Sequence, residues 1–129
     1  MVFSREMVEV SKNLEKQSHV VVIPKHTEEY ALLNSLDEMH KESVKNKIEH
    51  DLIRDYYEEI KNSDAILVLN LEKSGIENYI GGNSFLEMGF AHVLNRKIYL
   101  LNPIPEVGYK DEIVAMQPII LNGDLNKLK

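Results

Sequence analysis

The stretch from Asn62 to Asn102 constrains the fold of this chain more than any other. It reads NSDAILVLN, then a polar segment, then YIGGNSFLEMGFAHVLNRKIYLLN. Two apolar runs, Ala65–Leu69 and Ile98–Leu101, flank a glycine-rich turn and a short helical pattern. Both runs are short enough for strands and apolar enough to be buried on both faces, which predicts a βαβ unit of a parallel sheet.

The flanking sequence extends the alternation. Met7, Val10 and Leu14 fall at helical spacing, so Ser4 to about Gln17 reads as an amphipathic helix with Ser4 as N-cap. His19–Ile23 is a β-branched run closed by Pro24 and reads as a buried parallel strand. Lys25–Glu42 fits either a short helix or an ordered loop. From Ser43 to Lys61, Val44, Ile48, Leu52, Tyr56 and Ile60 repeat every four residues along one long helix, with Lys45, Glu49, Arg54 and Glu58 among the charges on its solvated side. Ser84–Leu94 reads as a helix with Leu86, Phe90, Ala91 and Leu94 inward and Asn95 at its C-terminal cap. A short helix at Asp111–Met116 and a short strand at Pro118–Leu121 follow. Helices and strands in alternation predict an α/β fold, a parallel sheet with helices on both faces, in a single domain spanning 1–129.

Composition excludes several classes of function. The formal charge is −6 and no Lys/Arg cluster stands out, so nucleic acid is not an expected partner. The chain has no cysteine, which removes disulfides, thiolate metal sites and a cysteine nucleophile. No apolar run approaches the roughly 20 residues of a membrane span, and Arg5, Glu6 and Glu9 interrupt any leader-like segment at the start. No membrane partner and a cytoplasmic location are the resulting expectations. The five histidines show no metal-ligand spacing, so no metal site is expected, and nothing in the sequence implies an organic cofactor.

Glu87 carries the most chemistry. A carboxylate at the mouth of a parallel sheet, beside a glycine turn, can attack an anomeric carbon as a nucleophile. The same spacing fits a capping box, with Ser84 as N-cap and Glu87 at the third helical position. Gly81, Gly82, Asn83 and Ser84 form either a backbone cradle for a ligand or a plain tight turn into a helix. Asp64 either contacts a ligand from a strand end or serves the turn after Asn62-Ser63. Tyr79 either walls a nucleobase or packs its own loop.

From Asp64 to Asn102 the chain resembles the nucleoside 2-deoxyribosyltransferase family. The matching residues are NSDAILVLN, the glycine turn, Glu87-Met88-Gly89-Phe90-Ala91, and RKIYLLN. The resemblance implies a flavodoxin-like sheet and cleavage or transfer at the N-glycosidic bond of deoxynucleosides or their 5′-monophosphates. It implies Glu87 as the nucleophile, Asp64 in the same pocket, and Asn83 and Ser84 near the sugar or its phosphate. It also implies a homo-oligomer whose small-molecule partner is a nucleoside or nucleotide. Two features depart from the family. Gly81 stands where the transferases carry a base-handling aspartate, and Met1-Val2-Phe3 begins just after the family's first strand, so that strand is expected upstream of Met1. A non-catalytic nucleotide-binding or regulatory module on the same scaffold is the alternative. The glycine turn also resembles, in part, that of the cytokinin-type phosphoribohydrolases.

Overall fold

The computed structural model describes residues 4–23 and 51–128. The chain divides into two compact units, Met1–Tyr56 and Tyr57–Lys129. The elements expected over 25–42 and 43–50 lie outside the described residues.

In the first unit, α1 (Ser4–Lys16) forms as its spacing predicts, with Leu14 buried and Met7 and Val10 half-buried. It ends in a Schellman motif. Ser18 takes a left-handed φ of 70°, its N–H donates to the Glu15 carbonyl, and the His19 N–H reaches back to Leu14. The strand expected at His19–Ile23 does not form. Those residues carry no strand, and Val20 and Val22 are 97% and 61% exposed. β-Branched residues fit a pleated surface only when a neighbouring strand supplies the ladder, and no strand among the described residues pairs with this run.

Of the helix expected over 43–61, the described part begins at Asp51. Asp51 sits at φ 48°, outside helical space, and α2 (Leu52–Lys61) starts immediately after it. The Asp51 carbonyl accepts from the Asp55 N–H, and its carboxylate receives Arg54 Nη1 at 2.7 Å. Leu52 and Ile60 are buried on the expected stripe, while Arg54, Glu58 and Glu59 face solvent.

In the second unit, β1 (Ala65–Val68), α3 (Gly82–Val93) and β2 (Lys97–Leu100) make the predicted βαβ unit. After α4 (Lys110–Ala115), the two-residue β3 (Ile119–Ile120) completes an open sheet of order β1-β2-β3. Both pairings are parallel, with Ala65 opposite Lys97 and Tyr99 opposite Ile119. A 3₁₀ turn at Leu125–Lys127 follows, started by the Asp124 carboxylate accepting from the Asn126 N–H.

α3 packs on β1 and β2. The core gathers Ile60, Val68, Ile80, Met88, Ala91, Ile98, Leu100 and Ile113. Each fully buried aliphatic side chain of this size contributes roughly 1.5–3 kcal/mol through removal from water. Of the expected inward face of α3, Ala91 is buried and Phe90 and Leu94 pack partly buried against the core, and Leu86 departs. Met88 and Ala91 are fully buried, whereas Leu86 is 42% exposed. Ala91 against the sheet fixes the rotation, and Leu86, five residues earlier, then turns outward. α3 closes as Asn95 suggests. Asn95 takes φ 59°, its N–H donates to His92, and the Arg96 N–H donates to Ala91. No helix among the described residues is long and apolar enough to cross a membrane.

Candidate functional site

Parallel pairing brings the carboxyl ends of the strands to one edge. The ladder continues past the strands there: Leu101 N–H donates to Val68, Leu121 N–H to Leu100, and Gly123 N–H to Leu101. Two asparagines tie this edge together. Asn70, fully buried, donates through Nδ2 to the carbonyls of Asn102 at 2.7 Å and Pro103 at 3.0 Å. Its Oδ1 accepts from the Asn102 N–H at 2.9 Å, and Asn102 Nδ2 donates to the Asn70 carbonyl at 3.1 Å. A buried amide keeps its cost low only when its polar atoms are paired, and both Nδ2 and Oδ1 of Asn70 are.

The loop from Asn70 to α3 doubles back on itself. Lys73 and Ile76 form an isolated antiparallel bridge around Ser74 and Gly75, both at positive φ (52° and 83°). Gly75 meets that conformation without a Cβ penalty, and its N–H donates to the Glu72 carboxylate. The Tyr79 N–H returns to the Leu71 carbonyl. Lys73 Nζ lies 5.0 Å from the centre of the Tyr79 ring, within cation–π range. The ring also lies against Gly81, where a Cβ would come within 3.1 Å of Tyr79 Cε2. Tyr79 is therefore held between a cation and a backbone turn.

α3 begins earlier than the capping-box spacing predicts. Gly81 is the N-cap, in extended conformation (φ −84°, ψ −179°), and its carbonyl accepts from the Phe85 N–H at 2.9 Å. No side chain caps this end. Ser84 thus lies inside the first turn and Glu87 in the second, so the Ser84–Glu87 capping box is not formed. The glycines allow the chain to turn into the helix three residues sooner, which removes Ser84 from the cap position.

Glu87 is half-buried. Four-residue spacing places Asn83, Glu87 and the fully buried Ala91 along one side of α3. Gly82 is exposed, and Gly81, Asn83 and Ser84 are half-buried around the start of the helix. Asp64 lies elsewhere. It is exposed and precedes β1, at the amino-terminal edge of the sheet, next to the end where Arg96 donates to the Lys61 carbonyl at 2.8 Å. α3 alone spans about 18 Å between the two edges. The structure brings Glu87, the glycine turn and Tyr79 to one end of the unit and leaves Asp64 at the other.

Tyr109, the N-cap residue of α4, joins the carboxyl edge. Its hydroxyl donates to the Ile80 carbonyl, and its ring tilts against Phe85 with centroids 4.7 Å apart. Desolvation, with a smaller contribution from the neighbouring Tyr79 phenol, pushes the Tyr109 phenol above its ordinary value. Asn70, Asn102 and Tyr109 escaped the sequence reading. One signal was present: both apolar runs end in the same way, VLN and LLN, with asparagine directly after the strand.

Among the described residues, no three His, Asp or Glu side chains gather into a metal-binding group. No family model, curated protein or solved structure matches this chain.

Proposed function

We propose that the second unit is a flavodoxin-like scaffold that binds a nucleoside or nucleotide at the carboxyl edge of its sheet and cleaves or transfers at the N-glycosidic bond. The observation that carries this reading is Glu87, a half-buried carboxylate on the sheet side of α3, one turn beyond a glycine start that no side chain caps. In the proposed reaction the carboxylate attacks C1′ and the base leaves with the bonding electron pair. The glycosyl ester then passes to water or to a second base. Gly81, Gly82, Asn83 and Ser84 would contact the sugar or its phosphate, with Tyr79 beside the base. Assembly as a homo-oligomer belongs to the same reading.

A second reading is a nucleotide-binding module without turnover. Tyr79 against Gly81 favours it, because no carboxylate stands at that position, and so does the placement of Asp64 at the far edge.

The deciding experiment measures base release from a panel of deoxynucleosides and their monophosphates, by wild type and Glu87→Gln at matched folded concentration. An amide cannot form the glycosyl ester, so turnover should vanish in the variant while folding persists. Mass spectrometry should find the deoxyribosyl adduct on the wild type only. Equal activity of the two proteins removes Glu87 from the reaction, and ligand binding without base release selects the second reading.

A further inference from the structure

We infer that Tyr109 is a positioning residue that fixes how α3 leaves the glycine turn and thereby how Glu87 is presented. Its value to catalysis rests on the Glu87 reading above. Tyr109 holds the chain on both sides of Gly81-Gly82. Its hydroxyl donates to the carbonyl of Ile80, the residue before the turn, and its ring lies on Phe85, in the first turn after it. Ile80 is fully buried, so this grip is anchored in the core.

The turn itself supplies few side chains to fix its direction. Gly81 and Gly82 bring no side chain, and α3 has no side-chain cap. Two successive glycines leave the backbone many accessible directions, which an external contact must narrow. Glu87 follows two residues after Phe85, whose N–H makes the first-turn hydrogen bond to the Gly81 carbonyl, so a change in the direction of that turn moves the carboxylate with it. Displacements of about 1 Å in a reacting group can lower rate by about a hundredfold.

The test is Tyr109→Phe, which keeps the ring and removes the hydroxyl, with Phe85→Leu as a second variant that keeps the hydroxyl bond and weakens the ring contact. Amide hydrogen exchange reads the turn directly. Tyr109→Phe should accelerate exchange at Phe85 and Leu86 at least tenfold while Ile98–Leu100 keep wild-type protection. In an active wild type, kcat should fall at least tenfold with KM changed less than threefold. Unchanged exchange at Phe85 and Leu86 in both variants overturns the inference. So does loosening spread over the whole unit, which would make Tyr109 a general stability residue, and so does an unchanged kcat in an active protein. Local loosening in a protein that releases no base supports the hold on α3 and overturns the glycosidic reading instead, so the two failures are distinguishable.

Discussion

Asn70 and Asn102 hold each other reciprocally: each side chain bonds the other's backbone, and the two stand 32 residues apart at the ends of adjacent strands. The pair fixes the height at which β1 and β2 release their loops. Asn70→Ala would leave the Asn102 N–H and two carbonyls without the partners they have now. The expected loss is about 3 kcal/mol, against about 1 kcal/mol for Asn102→Ala, which removes one side-chain bond. Urea unfolding of both variants checks the order. Equal small losses would mean that water takes over Asn70's bonds.

The rotation of α3 makes opposite forecasts for two apolar residues. Met88→Ala should cost about 2–5 kcal/mol because it opens a void in the core. Leu86→Ala should cost clearly less, about 1 kcal/mol or below, since the residue is 42% exposed. Thermal or urea melts decide, and a larger loss at Leu86 would return the helix to the face the apolar spacing suggested.

The turn glycines also separate. A methyl at Gly81 meets the Tyr79 ring at 3.1 Å, so Gly81→Ala should shift that ring and lower ligand affinity. A methyl at Gly82 meets nothing within 4 Å, and the position is helical, so Gly82→Ala should be neutral or stabilise by up to about 1 kcal/mol. Tyrosine chemical shifts and nucleotide titrations of the two variants provide the comparison.

Tyr109 gives a pH dependence. Its phenol is raised above the ordinary 10.0 in the folded protein, so the folded state holds the proton more tightly than the unfolded chain. Stability from this group is therefore constant below about pH 10 and declines as pH rises through the folded value. Tyr109→Phe should show a shallower alkaline decline than wild type in melts between pH 9 and 11. Parallel curves would contradict the partial desolvation of the phenol.

Asp64→Asn should leave base release unchanged, because Asp64 stands at the opposite edge of the sheet from Glu87. A tenfold loss of kcat with an intact fold would place Asp64 in the reaction after all.

The βαβ unit was legible because its signals are local: two apolar runs of strand length around one helical period. Where the sequence misled, something non-local intervened. His19–Ile23 has strand composition, but no strand among the described residues pairs with it. Ser84 has the chemistry of an N-cap, yet the glycines before it start the helix first. The family resemblance implies Asp64 in the pocket of Glu87, whereas Asp64 directly precedes β1 and α3 follows that strand, which sets the two residues toward opposite edges. The asparagine clamp and the Tyr109 contact leave no periodic trace, because each joins positions about 30 residues apart.

Parallel pairing of β1 and β2 also shapes how this unit must acquire its structure. No hairpin can seed a ladder whose partners, Ala65 and Lys97, are separated by a whole crossover. The chain entropy of that closure is lost before any strand contact repays it, which puts the unit among slower-folding topologies. α3 shortens the search by turning twelve residues of the crossover into a rod with one apolar side. Refolding speed then depends on how readily this single helix forms, and its glycine-rich start is both the mouth of the proposed site and the weakest point for nucleation.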